Sequence, residues 1–152
     1  MDRAKNIFDR IGSLIPGYRG YAEREGRRNC DKILRDSIVE KLIYCEKNLY
    51  ELMTESLNQK DKFKLNELEV VRKQINTFIS KIKYAPHGVT SFFADNQIKE
   101  DELLRIYQFD LSLAESVIKI EDNIQNIDLL KVFIKESFQI LTERNNYISE
   151  FK

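Results

Sequence analysis

The side chains best suited to chemistry lie close together near the start of the chain. Gly17, Tyr18, Arg19, Gly20, Tyr21, Arg24, Gly26, Arg27, Arg28 and Arg35 fall within one short stretch. Residues 1–36 carry seven Arg and two Lys, whereas the remainder carries three Arg and thirteen Lys. A guanidinium binds carboxylate or phosphate with two parallel hydrogen bonds and stacks on aromatic faces, which an ammonium does poorly. Tyr18 and Tyr21 add two rings with polar tips. They either anchor the turn on the body of the protein or form an exposed aromatic patch beside the arginines.

The order of these residues predicts how they are carried. Ile15-Pro16-Gly17-Tyr18 has the chemistry of a type II turn, with Pro second and Gly third. A short helix over about Arg3–Ser13 precedes it. On a helix beginning near Ala22, Arg24, Arg27, Arg28 and Arg35 share one face at 100° per residue. Ala22, Gly26, Cys30, Ile33 and Ser37 share the opposite face. The expectation is a helix packed by its small residues and presenting an arginine face outward. Three destinations stay open for that face. It can pair with Glu23, Glu25, Asp31 and Asp36, dock on acidic helices of the same chain, or serve a partner.

Beyond Gly26 the chain lacks Gly and Pro except at Pro86 and Gly88. Apolar residues recur there at steps of three and four, the period of an amphipathic helix. The predicted helices run over about 22–57 (Ile38, Leu42, Cys45, Leu49, Leu52), 61–84 (Leu68, Val71, Ile75, Phe78, Ile82), 99–121 (Leu104, Tyr107, Leu111, Ala114, Ile118) and 124 to the end (Ile127, Leu130, Ile134, Phe138, Leu141, Ile148). Asp61 is placed to cap the second of these. As a single helix, residues 22–57 would be about 54 Å long, which exceeds the next helix and implies either a kink near Gly26 or an overhang. Phe92 and Phe93, in the break between the second and third, are placed to plug one end of the core. The expected fold is all-α: one domain, residues 1–21 forming a short helix and a Pro-Gly-Tyr turn, residues 22–152 an antiparallel up-down four-helix bundle with coiled-coil-like spacing.

Composition narrows the chemistry. The chain has 152 residues, 25 basic and 25 acidic, with one His, two Cys and no Trp. Zero net charge argues against a bulk nucleic-acid binder. One His and two Cys leave no His/Cys metal cage and no Ser-His-Asp triad to assemble. A di-iron bundle site needs Glu-x-x-His pairs, and none occurs. Gly17 and Gly20 lack the Gly-Lys-Ser/Thr of a phosphate loop. No metal and no cofactor are therefore expected, and no enzymatic activity. Cys45 reads as a core residue, Cys30 as partly exposed, and His87 as a surface loop residue. Asp110, flanked by Phe109 and Leu111, is either exposed or half-buried and paired, with Arg105, Arg27 and Arg28 as candidate partners. No run of 18 apolar residues is present. Met1–Ile15 lacks a signal-peptide core, so a cytoplasmic protein is expected.

Net charge is nonetheless uneven. It is +3 over residues 1–36, +1 over 37–97 and −4 over 98–152. A localised basic surface thus coexists with overall neutrality.

Gly17, Tyr18, Gly20, Tyr21, Glu25, Arg27, Arg28, Asp31, Lys32 and Arg35 form a pattern, Gly-Tyr-x-Gly-Tyr, Glu-x-Arg-Arg, Asp-Lys-x-x-Arg. It resembles a motif in a set of small bacterial helical proteins. Gly26 replaces an acidic or polar residue usual in that pattern. Tyr84, Gly88, Phe92, Phe93 and residues 107–110 look like a second shared region. The resemblance implies a bacterial source, an all-helical fold and no catalytic residues. Together these features predict a non-enzymatic helical binding or scaffold module. Its expected surface is Tyr18, Arg19, Tyr21, Arg24, Arg27, Arg28 and Arg35, directed at a protein partner or a second copy. The alternative is peripheral association with an anionic membrane or other anionic ligand through the same residues.

Overall fold

A computed structural model of the chain describes residues 2–84, 91–93 and 97–151. It is all-helical, with five helices packed against one another and no strand among the described residues. The helices are α1 (Asp2–Leu14), α2 (Arg27–Asn58), α3 (Lys62–Lys83), α4 (Glu100–Asp122) and α5 (Ile127–Ser149). His87 and Gly88 lie outside the described residues.

Local chemistry sets the helix ends. Glu102 accepts the backbone N–H of Lys99 at 2.9 Å at the start of α4, where a carboxylate also suits the helix dipole. The Asp61 and Asn126 side chains accept the backbone N–H of Lys64 and Leu129, both at 3.1 Å, and so cap α3 and α5. The chain leaves α2 through Gln59 and Lys60, the latter with φ 57°. Ile124 is not the first residue of α5. It is buried in the turn between α4 and α5.

The helix expected from Ala22 does not form as one piece. Arg24–Gly26 is a single 3-10 turn, and α2 begins at Arg27. That change takes Arg24 out of the helix phase and leaves Arg27, Arg28 and Arg35 within α2. α2 is then about 48 Å long, with no three-turn overhang of arginines. Its buried positions Arg27, Asp31, Leu34, Ile38, Leu42, Cys45 and Leu49 repeat at steps of three and four. Arg27 therefore lies on the packed face. Ala22, expected on the packed face, is exposed.

The helices enclose one apolar core. Leu34, Ile38, Leu42 and Leu49 of α2 share it with Leu68, Val71, Ile75 and Phe78 of α3, Ile106, Leu113 and Val117 of α4, and Leu130, Ile134 and Leu141 of α5. The expected stripe positions Leu52, Leu104, Ile118, Ile127 and Phe138 sit at its margin, half-buried. α1 packs on α4 through Ile11 and Phe8, and Arg10 pairs with Glu115 at 3.0 Å. Phe92 is fully buried and closes one end of the core against Tyr21 and Phe151, at ring separations of 5.1 and 5.4 Å. No described helix is long and apolar enough to cross a membrane.

Candidate functional site

The segment between α1 and α2 is pinned by its backbone. Tyr18 N–H donates to the Ile15 carbonyl at 3.2 Å, and Gly17 has φ +86°, the third-position geometry of a type II turn. Gly20 has φ +83° and is pressed against Tyr107 and Phe8, so a Cβ there would overlap the Tyr107 hydroxyl. Two bonds secure it: Gly20 N–H donates to Cys30 Sγ at 3.2 Å, and Tyr21 N–H to the Tyr107 hydroxyl at 3.1 Å. Cys30 is accordingly buried, not part-exposed. It must reach that amide, and α2 turns it inward.

The turn delivers both tyrosines to Asp110 of α4. The Tyr18 and Tyr21 hydroxyls each donate to Asp110 Oδ2 at 2.6 Å. Arg144 of α5 donates Nε to Asp110 Oδ1 at 2.5 Å, and Nη2 to the Tyr21 hydroxyl oxygen at 2.9 Å and to Asp31 Oδ1 at 2.8 Å. Arg35 completes the chain. Its Nε donates to Asp31 Oδ2 at 2.9 Å, Nη1 to the Ile82 carbonyl at 3.0 Å and Nη2 to Asn145 Oδ1 at 3.3 Å. Asp110 and Arg144 are both 0% exposed. The buried carboxylate that might have faced solvent is thus fully enclosed. Its cation is Arg144 rather than Arg105, Arg27 or Arg28; Arg105 lies over the Phe109 ring at 4.8 Å.

The electrostatics follow from this enclosure. Two carboxylates and two guanidiniums alternate, so each buried charge faces its opposite. Burial opposes ionisation of Asp31, but Arg144 and Arg35 outweigh it and hold the group below the ordinary carboxylate value. Burial, reinforced by the Asp110 charge, drives the Tyr18 and Tyr21 hydroxyls far above their usual range. It pushes the Cys30 thiol up to about 11. Arg144 Nη1 is the one arm of that guanidinium without a hydrogen-bond partner.

The expected surface is therefore divided. Tyr18, Tyr21 and Arg27 are buried, Arg35 is half-buried, and Arg19, Arg24 and Arg28 are exposed. Arg27 Nε donates to the Tyr21 carbonyl at 3.0 Å and Nη1 to the Phe92 carbonyl at 3.2 Å, tying the turn to the segment before α4. An outward arginine face was expected, but on one helix Arg27 and Arg35 share the 100° phase of Leu34, Ile38 and Leu42, so the face assigned to solvent is the core face. Of the four arginines, Arg24 alone leaves that helix, in the 3-10 turn. Tyr107 was read as a stripe residue of the third long helix and not as part of the site, and Arg144 and Asn145 were not singled out, although Arg144 stands between Leu141 and Ile148 at steps of three and four, a core register.

A groove opens beside the buried cluster. It has a volume of about 400 Å³ and is lined by Arg28, Asp31, Lys32, Arg35, Asp36, Val39, Ile82, Lys83, Tyr84 and Phe93. Four cations outnumber two carboxylates there; Lys32 is paired with Asp36 at 2.6 Å and Arg35 with Asp31 at 2.9 Å, which leaves Arg28 and Lys83 as the excess. The Arg28 guanidinium lies 5.1 Å from the Phe93 ring centre, a cation–π contact between two residues of the lining. Among the described residues, no group of three or more His, Cys, Asp or Glu is placed to hold a metal ion.

No protein-family model, no curated protein and no solved structure matches the chain.

Proposed function

We propose that this chain is a non-enzymatic helical binding module. It accepts the acidic groups of a protein partner in the groove of Arg28, Lys32, Arg35 and Lys83. One observation carries the reading: an excess of cations lines a concave surface whose inner wall is a rigid charge network. Arg35 is held at three points, so it reaches the groove already oriented and loses little freedom on binding. Tyr84, 77% exposed at the rim, offers an aromatic contact. The reading departs from an Arg/Tyr patch around Tyr18 and Tyr21, whose hydroxyls are committed to Asp110. That commitment also supports a non-enzymatic role, because the acids and hydroxyls most suited to proton transfer are spent on one another.

The frame of the module, in this reading, is an up-and-down order of α2 to α5. Its support is the register of the contacts. Arg35 with Ile82 and Glu46 with Arg72 imply opposed directions for α2 and α3. Ser116 with Ser137 and Asp110 with Arg144 imply opposed directions for α4 and α5. Kinship with the small bacterial helical proteins belongs to the same proposal. Gly17, Tyr18, Gly20, Tyr21, Arg27, Asp31 and Arg35 of the shared pattern all serve the turn or the buried network.

The test is titration with a short Asp/Glu-rich peptide, followed by calorimetry, for the wild type and for R28E/K83E. Both substituted side chains are exposed, so folding should be retained. Binding by the wild type, weakening with salt and lost in the variant, is the expected result. A wild type that ignores the peptide but floats with anionic vesicles would transfer the groove to a membrane surface. Binding that is equal in wild type and variant would remove the reading.

A further inference from the structure

A second concave surface lies on another side of the molecule, between α3 and α5. It has a volume of about 650 Å³ and is lined by Lys73, Gln74, Thr77, Lys131, Ile134, Lys135, Phe138 and Gln139. Ile134 and Phe138 make its floor apolar. Its margins are basic: Lys73 and Lys135 are exposed, and Lys81 places its ammonium 6.0 Å from the Phe138 ring centre. The acids beside it are Glu67, 3.4 Å from Lys131, and Glu143, which accepts from the Gln139 side chain at 3.2 Å, so the cations at its margin are in excess. Val70 and Phe63 precede Thr77 by seven and fourteen residues. They therefore continue the same flank of α3, and both are exposed. The apolar run from Phe63 to Thr77 is about 21 Å long.

The outer side of α2 is the complement of this surface. Ile43, Tyr50 and Leu57 are exposed and repeat every seven residues, which makes an apolar ridge also about 21 Å long. Glu40, Glu51 and Glu55 are exposed along its flank, with Lys47 as the cation among them. An apolar ridge edged by carboxylates thus matches an apolar groove edged by ammonium groups. Within the single chain Arg72 lies over the Tyr50 ring, 5.4 Å from its centre, while ridge and groove lie on different helices, so one copy can use both at once.

We infer that the protein self-associates head to tail, with the α2 ridge of one copy seated in the α3–α5 groove of the next. Such a contact is heterologous: the two sides of the interface are different surfaces. It closes into a ring or extends as a filament according to the rotation between copies. It is independent of the Arg28–Lys83 groove. Loss of acidic-peptide binding and loss of assembly therefore separate in the same protein.

The experiment uses two variants, each disabled on one side. K73E/K135E reverses charge at the groove, and I43E/Y50E breaks the ridge. All four side chains are exposed, and circular dichroism at 222 nm checks that the helices persist. Sedimentation velocity should show wild-type species that grow with concentration and shrink with added salt. Each variant alone should be a monomer. An equimolar mixture should form a heterodimer and nothing larger, because one intact ridge and one intact groove remain. Three results overturn the proposal: a wild type that is monomeric throughout, variants that assemble as the wild type does, or a mixture that yields no dimer. Wild type captured by anionic vesicles without self-associating would reassign the groove to lipid.

Discussion

Arg144→Met tests whether the buried cluster holds the fold together. Methionine keeps much of the length and volume of the side chain and removes its charge. Arg144 makes three hydrogen bonds to Asp110, Asp31 and the Tyr21 hydroxyl, all in a site closed to solvent. Without it, Asp110 keeps only the two tyrosine hydroxyls, and Asp31 keeps only Arg35. Breaking a buried ion pair by removing one partner costs about 3–5 kcal/mol. A domain of this size has about 8–20 kcal/mol of total stability, so the variant should fold but be much weakened. The corresponding drop in Tm is about 6–20 °C for a chain of roughly 150 residues. The assay is urea unfolding followed at 222 nm, with an unchanged slope against denaturant showing that the unfolded surface is the same. The pH dependence discriminates further. Asp31 is depressed in the wild type, so its contribution is present above its unfolded value of 3.8 and is lost as pH falls through the lower folded value. In the variant that depression is largely removed, and the uncompensated Asp31 carboxylate is relieved by protonation. The gap between the two proteins should therefore narrow below about pH 4. A loss under about 1 kcal/mol, or a gap that is constant with pH, would refute the reasoning, because neither fits a buried charge left without its partner.

Gly20→Ala should cost about 2 kcal/mol or more, since it adds left-handed backbone strain to an overlap with the Tyr107 hydroxyl and Phe8; a thermal melt unchanged from the wild type would remove that account of the turn. Raised folded values make the cluster sensitive to alkali. Cys30 contributes stability that is full below its unfolded value of 9.0 and is lost as pH rises through about 11, and Tyr18 and Tyr21 act in the same direction. Absorbance at 295 nm should then show Tyr18 and Tyr21 ionising only as the helical signal collapses. Cys30 and Cys45 are both buried, and burial raises the Cys45 thiol to about 12. A disulfide-exchange probe at neutral pH should label both only at the rate of unfolding; fast labelling of Cys30 would show that the turn at Gly20 opens on its own.

Much of this architecture was readable because helix period and turn chemistry are local. Ile38, Leu42, Cys45 and Leu49 lie three or four residues apart, so their shared face needs no knowledge of what covers it. Pro16-Gly17 fixes a turn through the backbone preferences of two adjacent residues. The direction of Arg27 and Arg35 was equally local, since both stand at helical steps from Leu34, Ile38 and Leu42 on the same helix, and it was misassigned to solvent; only Arg24 leaves that phase, through the 3-10 turn. The partner of Asp110 was not local, since Arg144 is 34 residues away on another helix and both tyrosines come from the far end of the chain.

A signal for the cluster was nevertheless present, in register rather than in composition. Arg27 and Asp31 precede Leu34 and Ile38 by steps of four and three. Asp110 stands between Ile106 and Leu113 at the same steps, and Arg144 between Leu141 and Ile148. An ionisable side chain on a core stripe has two physical outcomes. Either the helix frays to release it, or it meets an opposite charge that is buried with it, because an unpaired buried charge costs far more than the stripe can repay. Long helices without Gly or Pro leave little room for fraying. A charged residue in core register on one helix therefore implies another of opposite sign on a facing helix. Asp31, Asp110 and Arg144 meet that condition together, and Arg35 supplies the second cation from the edge of α2. Arginine suits such a node better than lysine, since one planar group reaches two carboxylates and a hydroxyl at once. Of the arginines near the start of the chain, Arg27 and Arg35 use that planar geometry on the chain's own carbonyls and carboxylate, Arg27 on Tyr21 and Phe92 and Arg35 on Asp31 and Ile82.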